Sequence, residues 1–180
     1  MKQMVHSFNA CVSLLCIFCL VVFKSCQDLP EASQTGAGTF GMKINGESWR
    51  GDGTITFGPA STAYYRSSDK GVQIQSIVTR QNGSQEKFNM VVTNTNTIGK
   101  YVMGNFPSLK SIDSTRFWYN DNEEFAYKLR QGVQNSVEIT RLDTLREIVS
   151  GKFSVSLVNR NNDTLKLTEG RFDLRLNIIK

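Results

Sequence analysis

Two hydrophobic patterns divide this chain. Residues 11–23 form one apolar run broken only by Ser13 and cysteines, whereas beyond residue 38 apolar and polar side chains alternate in short segments closed by turn residues. Alternation with period two belongs to a strand with one buried face, because successive side chains point to opposite sides. Phe40, Met42 and Ile44 alternate, Asn45-Gly46 follows and Trp49 lies beyond. Both turn residues tolerate the positive φ of a type I′ hairpin. Residues 54–57 predict a short strand closed by Gly58-Pro59. Val72, Ile74, Ser76 and Val78 share one face of a longer strand, which residues 81–84 turn into a strand over 88–92. Residues 94–97 are polar and predict a loop, and 98–103 resumes a strand. Phe117-Trp118-Tyr119 and the alternating Phe125, Tyr127 and Leu129 predict two more, joined through 120–122.

Val137, Ile139, Leu142, Leu145, Ile148 and Val149 contain three-residue spacings that suit an amphipathic helix. The β-like opening Val137-Glu138-Ile139-Thr140 and the close at Ser150-Gly151 favour two strands around an Asp143-Thr144 turn instead. Phe153, Val155 and Leu157 then alternate, residues 159–163 turn, Leu165 and Leu167 return, and Phe172, Leu174, Leu176 and Ile178 alternate again. Roughly ten short strands without a long helix predict an all-β domain. An antiparallel β-sandwich is the first expectation, with a calycin- or lipocalin-like β-barrel as its alternative.

The run over 11–23 is 13 residues long and follows Lys2 and His6. A helix needs about 20 apolar residues to cross the hydrocarbon core, whereas a secretory signal needs about 7 to 15. The expectation is therefore a signal peptide over residues 1–25. Its end, Lys24-Ser25-Cys26, resembles a bacterial lipobox, with Ser25 in the small position before a cysteine that becomes the lipidated N-terminus. Lys24 departs from that motif, which has a small or apolar residue there. Cys16 and Cys19 follow the bulky Leu15 and Phe18, so Cys26 is the candidate lipidation site. Residues 26–38 are polar and small and read as a lipid-anchored flexible tether, leaving one domain over 39–180.

Cleavage there changes the composition. All four cysteines lie at or before Cys26, and the single histidine is His6. A mature chain of 155 residues thus carries no histidine, no free thiol and no disulfide, and depends on its core for stability. Loss of Lys2 and Lys24 leaves 19 basic residues against 16 acidic ones, a net charge of +3 rather than +5. No five-residue basic block is present, so no nucleic-acid partner is indicated. Catalytic Ser-His-Asp and Cys-His sets and zinc sites of histidine and cysteine are excluded from such a chain.

Carboxylates are the remaining acid–base groups. Asp121, Glu123 and Glu124 cluster, and two facing carboxylates are the minimum of a glycosidase, but acidic residues in a turn are usually just solvated. Asn159, Asn161 and Asp163 resemble the opening of a calcium loop, yet Thr164 stands where that loop needs glycine and Gly170 where it needs glutamate. A hairpin turn explains them better. No metal, cofactor or catalytic residue is indicated, and the chain reads as a non-enzyme. The aromatic pairs Tyr64-Tyr65 and Trp118-Tyr119 place neighbouring rings on opposite strand faces, making all four candidates for ligand contact, with ordinary core packing as the plainer reading.

Leu29 to Gly41, followed by Ile44-Asn45-Gly46 and Trp49, resembles the start of a Bacteroidota lipoprotein family with an all-β domain. Thr140-Arg141-Leu142-Asp143-Thr144, the stretch from Ile148 to Phe153 and the stretch from Asp163 to Asp173 are similar to that family as well. Met42 departs from it where some relatives have cysteine, and the middle of the chain carries no resemblance. The resemblance implies an envelope lipoprotein and supplies no catalytic residue. Asp113-Ser114-Thr115, Asp143-Thr144-Leu145 and Asp163-Thr164-Leu165 resemble the O-glycosylation signal of the same lineage, making Ser114, Thr144 and Thr164 candidate acceptors.

Together these readings predict an outer-membrane lipoprotein, periplasmic or surface-facing, held by its lipid and acting as a binding or structural component of the envelope. A glycan- or protein-binding accessory of a surface uptake system, a carboxylate hydrolase and a lipocalin-like carrier are the alternatives.

Overall fold

The computed structural model describes residues 29–51, 54–55, 58–80, 82–103, 114–119 and 126–180, with backbone alone at 54, 55, 58, 118 and 119. The predicted signal segment, Cys26, Asp113, Phe125 and the acidic cluster Asp121, Glu123 and Glu124 lie outside the described residues. These contain thirteen strands and no helix. In chain order they are β1 (Thr39–Ile44), β2 (Glu47–Arg50), β3 (Thr54–Ile55), β4 (Gly58–Pro59), β5 (Ser61–Arg66), β6 (Gly71–Thr79) and β7 (Gln85–Val92). There follow β8 (Gly99–Met103), β9 (Ser114–Tyr119), β10 (Tyr127–Leu129), β11 (Asn135–Asp143), β12 (Ile148–Val158) and β13 (Thr164–Ile179).

The domain is all-β. Eleven strands form one sheet in the order β2-β1-β13-β5-β6-β7-β9-β10-β12-β11-β8, and β12 pairs with β13 as well. The path β13-β5-β6-β7-β9-β10-β12 therefore returns to its start, while β1-β2 and β11-β8 continue the sheet on either side of the β12–β13 pair. The segment with helical spacings, 137–149, is the β11–β12 hairpin, turning at residues 144–147.

Two features correct the simple antiparallel expectation. β13 pairs with β5 in parallel, Leu176 opposite Ala63 and Ile179 opposite Arg66. At 16 residues β13 outruns β1, which covers its edge only from Leu167 to Asp173, and its free end pairs with β5. β5 itself goes unpredicted, because Ala63 and Tyr65 are too few apolar positions to mark a strand. β13 is also one strand with a bulge. Between Gly170 and Leu167 it spends one more residue than β12 does between Phe153 and Val155, and Glu169 there takes φ 51°. That extra residue explains why apolar positions shift from odd (Leu165, Leu167) to even (Phe172, Leu174, Leu176) while the same face stays buried.

The core is built from rings. Phe40 of β1 lies 5.1 Å from Phe88 of β7 and 5.7 Å from Phe153 of β12, and Phe88 and Phe153 stack at 5.3 Å. Trp49 of β2 meets Phe40 and, edge-on, Phe117 of β9. Since β7 is several strands from β1 and β12 in sheet order, and β9 several from β2, these contacts join two opposing walls. One wall consists of β8, β11, β12, β13, β1 and β2, and the other of β5, β6, β7, β9 and β10. Buried side chains alternate inward along both, leaving each wall an outward, mostly polar face.

Candidate functional site

The outward face of the first wall carries an unusual burial. Ser150 and Asp173 are cross-strand partners that point away from the core, yet both are at most 1% exposed. Residues 29–38 cover them. Composition alone reads that segment as part of a tether, but here it is a strap fixed to the sheet. Asp173 accepts hydrogen bonds from the Ser33 hydroxyl, the backbone N–H groups of Thr35, Gly36 and Ala37 (3.0, 2.8 and 3.2 Å) and the Ser150 hydroxyl (2.7 Å). Burial pushes the Asp173 carboxyl up, and the bonds from Ser33, Ser150, Gly36 and Thr35 outweigh it, holding the pKa at about 2 against an ordinary 3.8. Arg141 donates to the Gln34 carbonyl and Arg171 to that of Pro30 (3.2 Å). Leu29 and Pro30 lie over Gly41, where a Cβ would stand 2.6 Å from Pro30 Cδ.

Beside the strap a groove of about 540 Å³ opens on the same face. It is lined by Lys100, Glu138, Lys152, Glu169 and Arg171 with Ser136, Ser154, Phe153, Gly170 and the strap's Ala32. Glu169 pairs with Lys43 at 2.7 Å.

The second wall presents a different chemistry. Thr62, Gln75, Asn89, Arg116 and Lys128 stand in register across β5, β6, β7, β9 and β10. The next row holds Asn177, Tyr64 and Gln73. A hydrogen bond of 2.9 Å from Gln73 Nε2 to Asn89 Oδ1 ties the rows together. Tyr64 is half-buried, and neither its hydroxyl nor the side chains of Gln75 and Arg116 have a hydrogen-bond partner among the described residues. The face thus offers a phenol ring, carboxamides that both donate and accept, and a guanidinium, none of which serves the core.

The structure separates the aromatic candidates. Tyr64 belongs to the outward polar face, whereas Tyr65 is half-buried and packs against the core. Trp118 and Tyr119 continue β9 opposite Lys87 and Glu86, with side chains outside the description. Cys26 lies outside it altogether. Ser114 begins β9 half-buried, Thr144 is exposed in the β11–β12 turn and Thr164 is exposed at the start of β13. Beside Thr144, hydrogen bonds from the Arg141 side chain (2.9 Å) and the Arg146 N–H (2.9 Å) hold Asp143 below the usual carboxylate range. In the 159–163 turn, Asn159 Oδ1 accepts from the N–H groups of Asn161 and Asp163, both at 2.9 Å. Its oxygen thus closes the turn, as the hairpin reading of this stretch has it.

Sequence reasoning finds Tyr64 but not Gln73, Gln75, Asn89 or Arg116. Each sits at an outward parity of its strand, and only the register puts them together. Comparison with known proteins finds no matching family model, no matching curated protein and no matching solved structure.

Proposed function

We propose that the chain is a lipoprotein of the outer membrane, anchored through Cys26, whose domain binds glycan through the outward face of β5, β6, β7 and β9. The observation that carries this reading is the joined array of Tyr64, Gln73, Gln75, Asn89 and Arg116. A sugar presents an apolar C–H face, which suits an aromatic ring, and a rim of hydroxyls, which suits amides that donate and accept at once. The domain works by binding, as a flattened closed sheet of sandwich type. The packed rings of Phe40, Phe88 and Phe153 support that form over a hollow carrier, since they occupy the space between the walls.

Two measurements test the reading. Titration of residues 27–180, which hold the strap and all thirteen strands, against a panel of polysaccharides should find a binder. Tyr64→Ala should weaken it at least about tenfold, or about 1.4 kcal/mol, without lowering the melting temperature by more than a few degrees. No binder in the panel, or a Tyr64→Ala chain that binds like the wild type, would overturn the glycan reading. For the anchor, Cys26→Ser should lose incorporation of a palmitate analogue and leave the membrane fraction after a high-salt wash. A labelled or wash-resistant Cys26→Ser chain would sink the lipid anchor.

A further inference from the structure

One register row crosses all six strands of the first wall. Lys100 of β8 stands opposite Glu138 of β11, Glu138 opposite Lys152 of β12, and Lys152 opposite Arg171 of β13. Arg171 faces Gly41 of β1, which faces Arg50 of β2. Four of these six residues are basic and one is acidic. At the usual spacing between strands the row is about 24 Å long. Glu138 standing opposite two lysines is ordinary sheet chemistry, since opposite charges across strands are mildly stabilising, although it closes no ion pair with either among the described residues. Lys152 against Arg171 is not, because like charges directly opposite are destabilising. Arg171 turns one nitrogen to the Pro30 carbonyl, and Lys152 has no ion-pair partner among the described residues. An anion from outside the chain would relieve this pair.

The strap fixes where the row lies relative to the N-terminus. Leu29 and Pro30 are seated on Gly41, inside the row, and Ala32 borders the groove that Lys100, Lys152 and Arg171 line. Two residues separate Leu29 from Cys26, so three Cα steps keep an anchor at Cys26 within about 11 Å of Leu29, which is seated on the row.

Resting on the lipid-anchor reading, we propose that this basic row is a membrane-docking surface that seats on anionic lipid headgroups. Anchor and row then hold the domain in one orientation, the first wall on the bilayer and the polar face of Tyr64 and Gln75 turned away from it. Basic side chains near an anionic bilayer contribute separately to attraction, and each is screened by salt within a Debye length. Lys128 lies on the other wall and takes no part.

The test uses residues 27–180 without lipid, so that acylation does not enter, and vesicles of phosphatidylcholine with or without one-third phosphatidylglycerol. The chain should sediment with the anionic vesicles at low salt, leave them at high salt and ignore the neutral ones. Lys100→Glu with Lys152→Glu should weaken binding at least about tenfold, while Lys128→Glu leaves it unchanged. Equal binding to neutral vesicles, or equal loss from Lys128→Glu, would overturn the proposal. So would displacement by soluble polygalacturonate at a lower charge concentration than the vesicles present, which would make the row a seat for acidic polysaccharide. On the full lipidated protein in the same vesicles, an amine-acylating reagent should modify Lys128 faster than Lys100 and Lys152, and equal rates would count against the orientation. The palmitate label at Cys26 scores the anchor reading separately, so the two can fail independently.

Discussion

Gly151→Ala should lower the melting temperature by about 10 °C or leave the domain unfolded at growth temperature. A Cβ at residue 151 would drive into the Glu138 carbonyl oxygen and stand 2.5 Å from Phe172 Cζ. The first obstacle is backbone, and no rotamer change removes it. Gly151 pairs with Ile139 just before β11 shifts register, and with Phe172 across the other edge of β12. Relief therefore needs both separation of β11 from β12 and displacement of a core ring. Overpacking of this kind costs about 3 kcal/mol, which for a domain of this size is about 10 °C. The neighbouring Lys152→Ala, at an exposed outward position, should change the midpoint by no more than about 2 °C. A Gly151→Ala chain melting with the wild type would mean that the β11 register shift absorbs the methyl. The same device recurs in reverse one step along, where Gly170 lies under the Phe153 ring with an added Cβ only 2.5 Å from Phe153 Cε1. The β12–β13 ladder thus places each phenylalanine over the other strand's glycine, an exchange that seats both rings in the core.

Asp173→Ala should release the strap. It strands the donors of Ser33, Thr35, Gly36, Ala37 and Ser150, which now share one carboxylate. Peeling the strap lets water satisfy the first four, so the loss is limited to about 3 kcal/mol and is local before it is global. Hydrogen exchange should show the amides of Thr35, Gly36 and Ala37 losing protection while β6 and β7 keep theirs. Retained protection at all three would show that the strap holds without the carboxylate. The pH dependence follows from the same bonds. The folded pKa of about 2 lies below the ordinary 3.8, so the contribution is complete above pH 4 and is lost as pH falls towards 2. Its size is about 2 kcal/mol. Asp173→Asn lacks this component, so its deficit against the wild type should shrink as pH falls through that window. Parallel loss in both chains would place the titrating group elsewhere.

The strap shows why part of this molecule was legible and part was not. Residues 26–38 have the composition of a tether, since no apolar period marks them for burial. What gathers residues 33–37 is chiefly one aspartate 140 residues from Ser33, and a lone Asp within Arg171-Phe172-Asp173 reads as one more solvated strand position. Period two reveals inward and outward parity, but not which outward residues become neighbours. Gln75, Asn89 and Arg116 meet only because β6, β7 and β9 pair in a particular register. Likewise Lys100, Lys152 and Arg171 lie far apart in the chain and form a row only once β8, β11, β12 and β13 are laid side by side.

By itself the sequence determined the all-β class, most of the strands and the inward face of each. Those depend on local alternation and turn chemistry, which act within a few residues. It also determined that the chain after residue 26 holds neither histidine nor cysteine. The tertiary structure alone decided the parallel β5–β13 pair, the bulge that shifts parity within β13, the burial of Asp173 under the strap and the two outward rows. Each of these depends on strand register and on contacts between residues far apart in the chain, which no local pattern encodes.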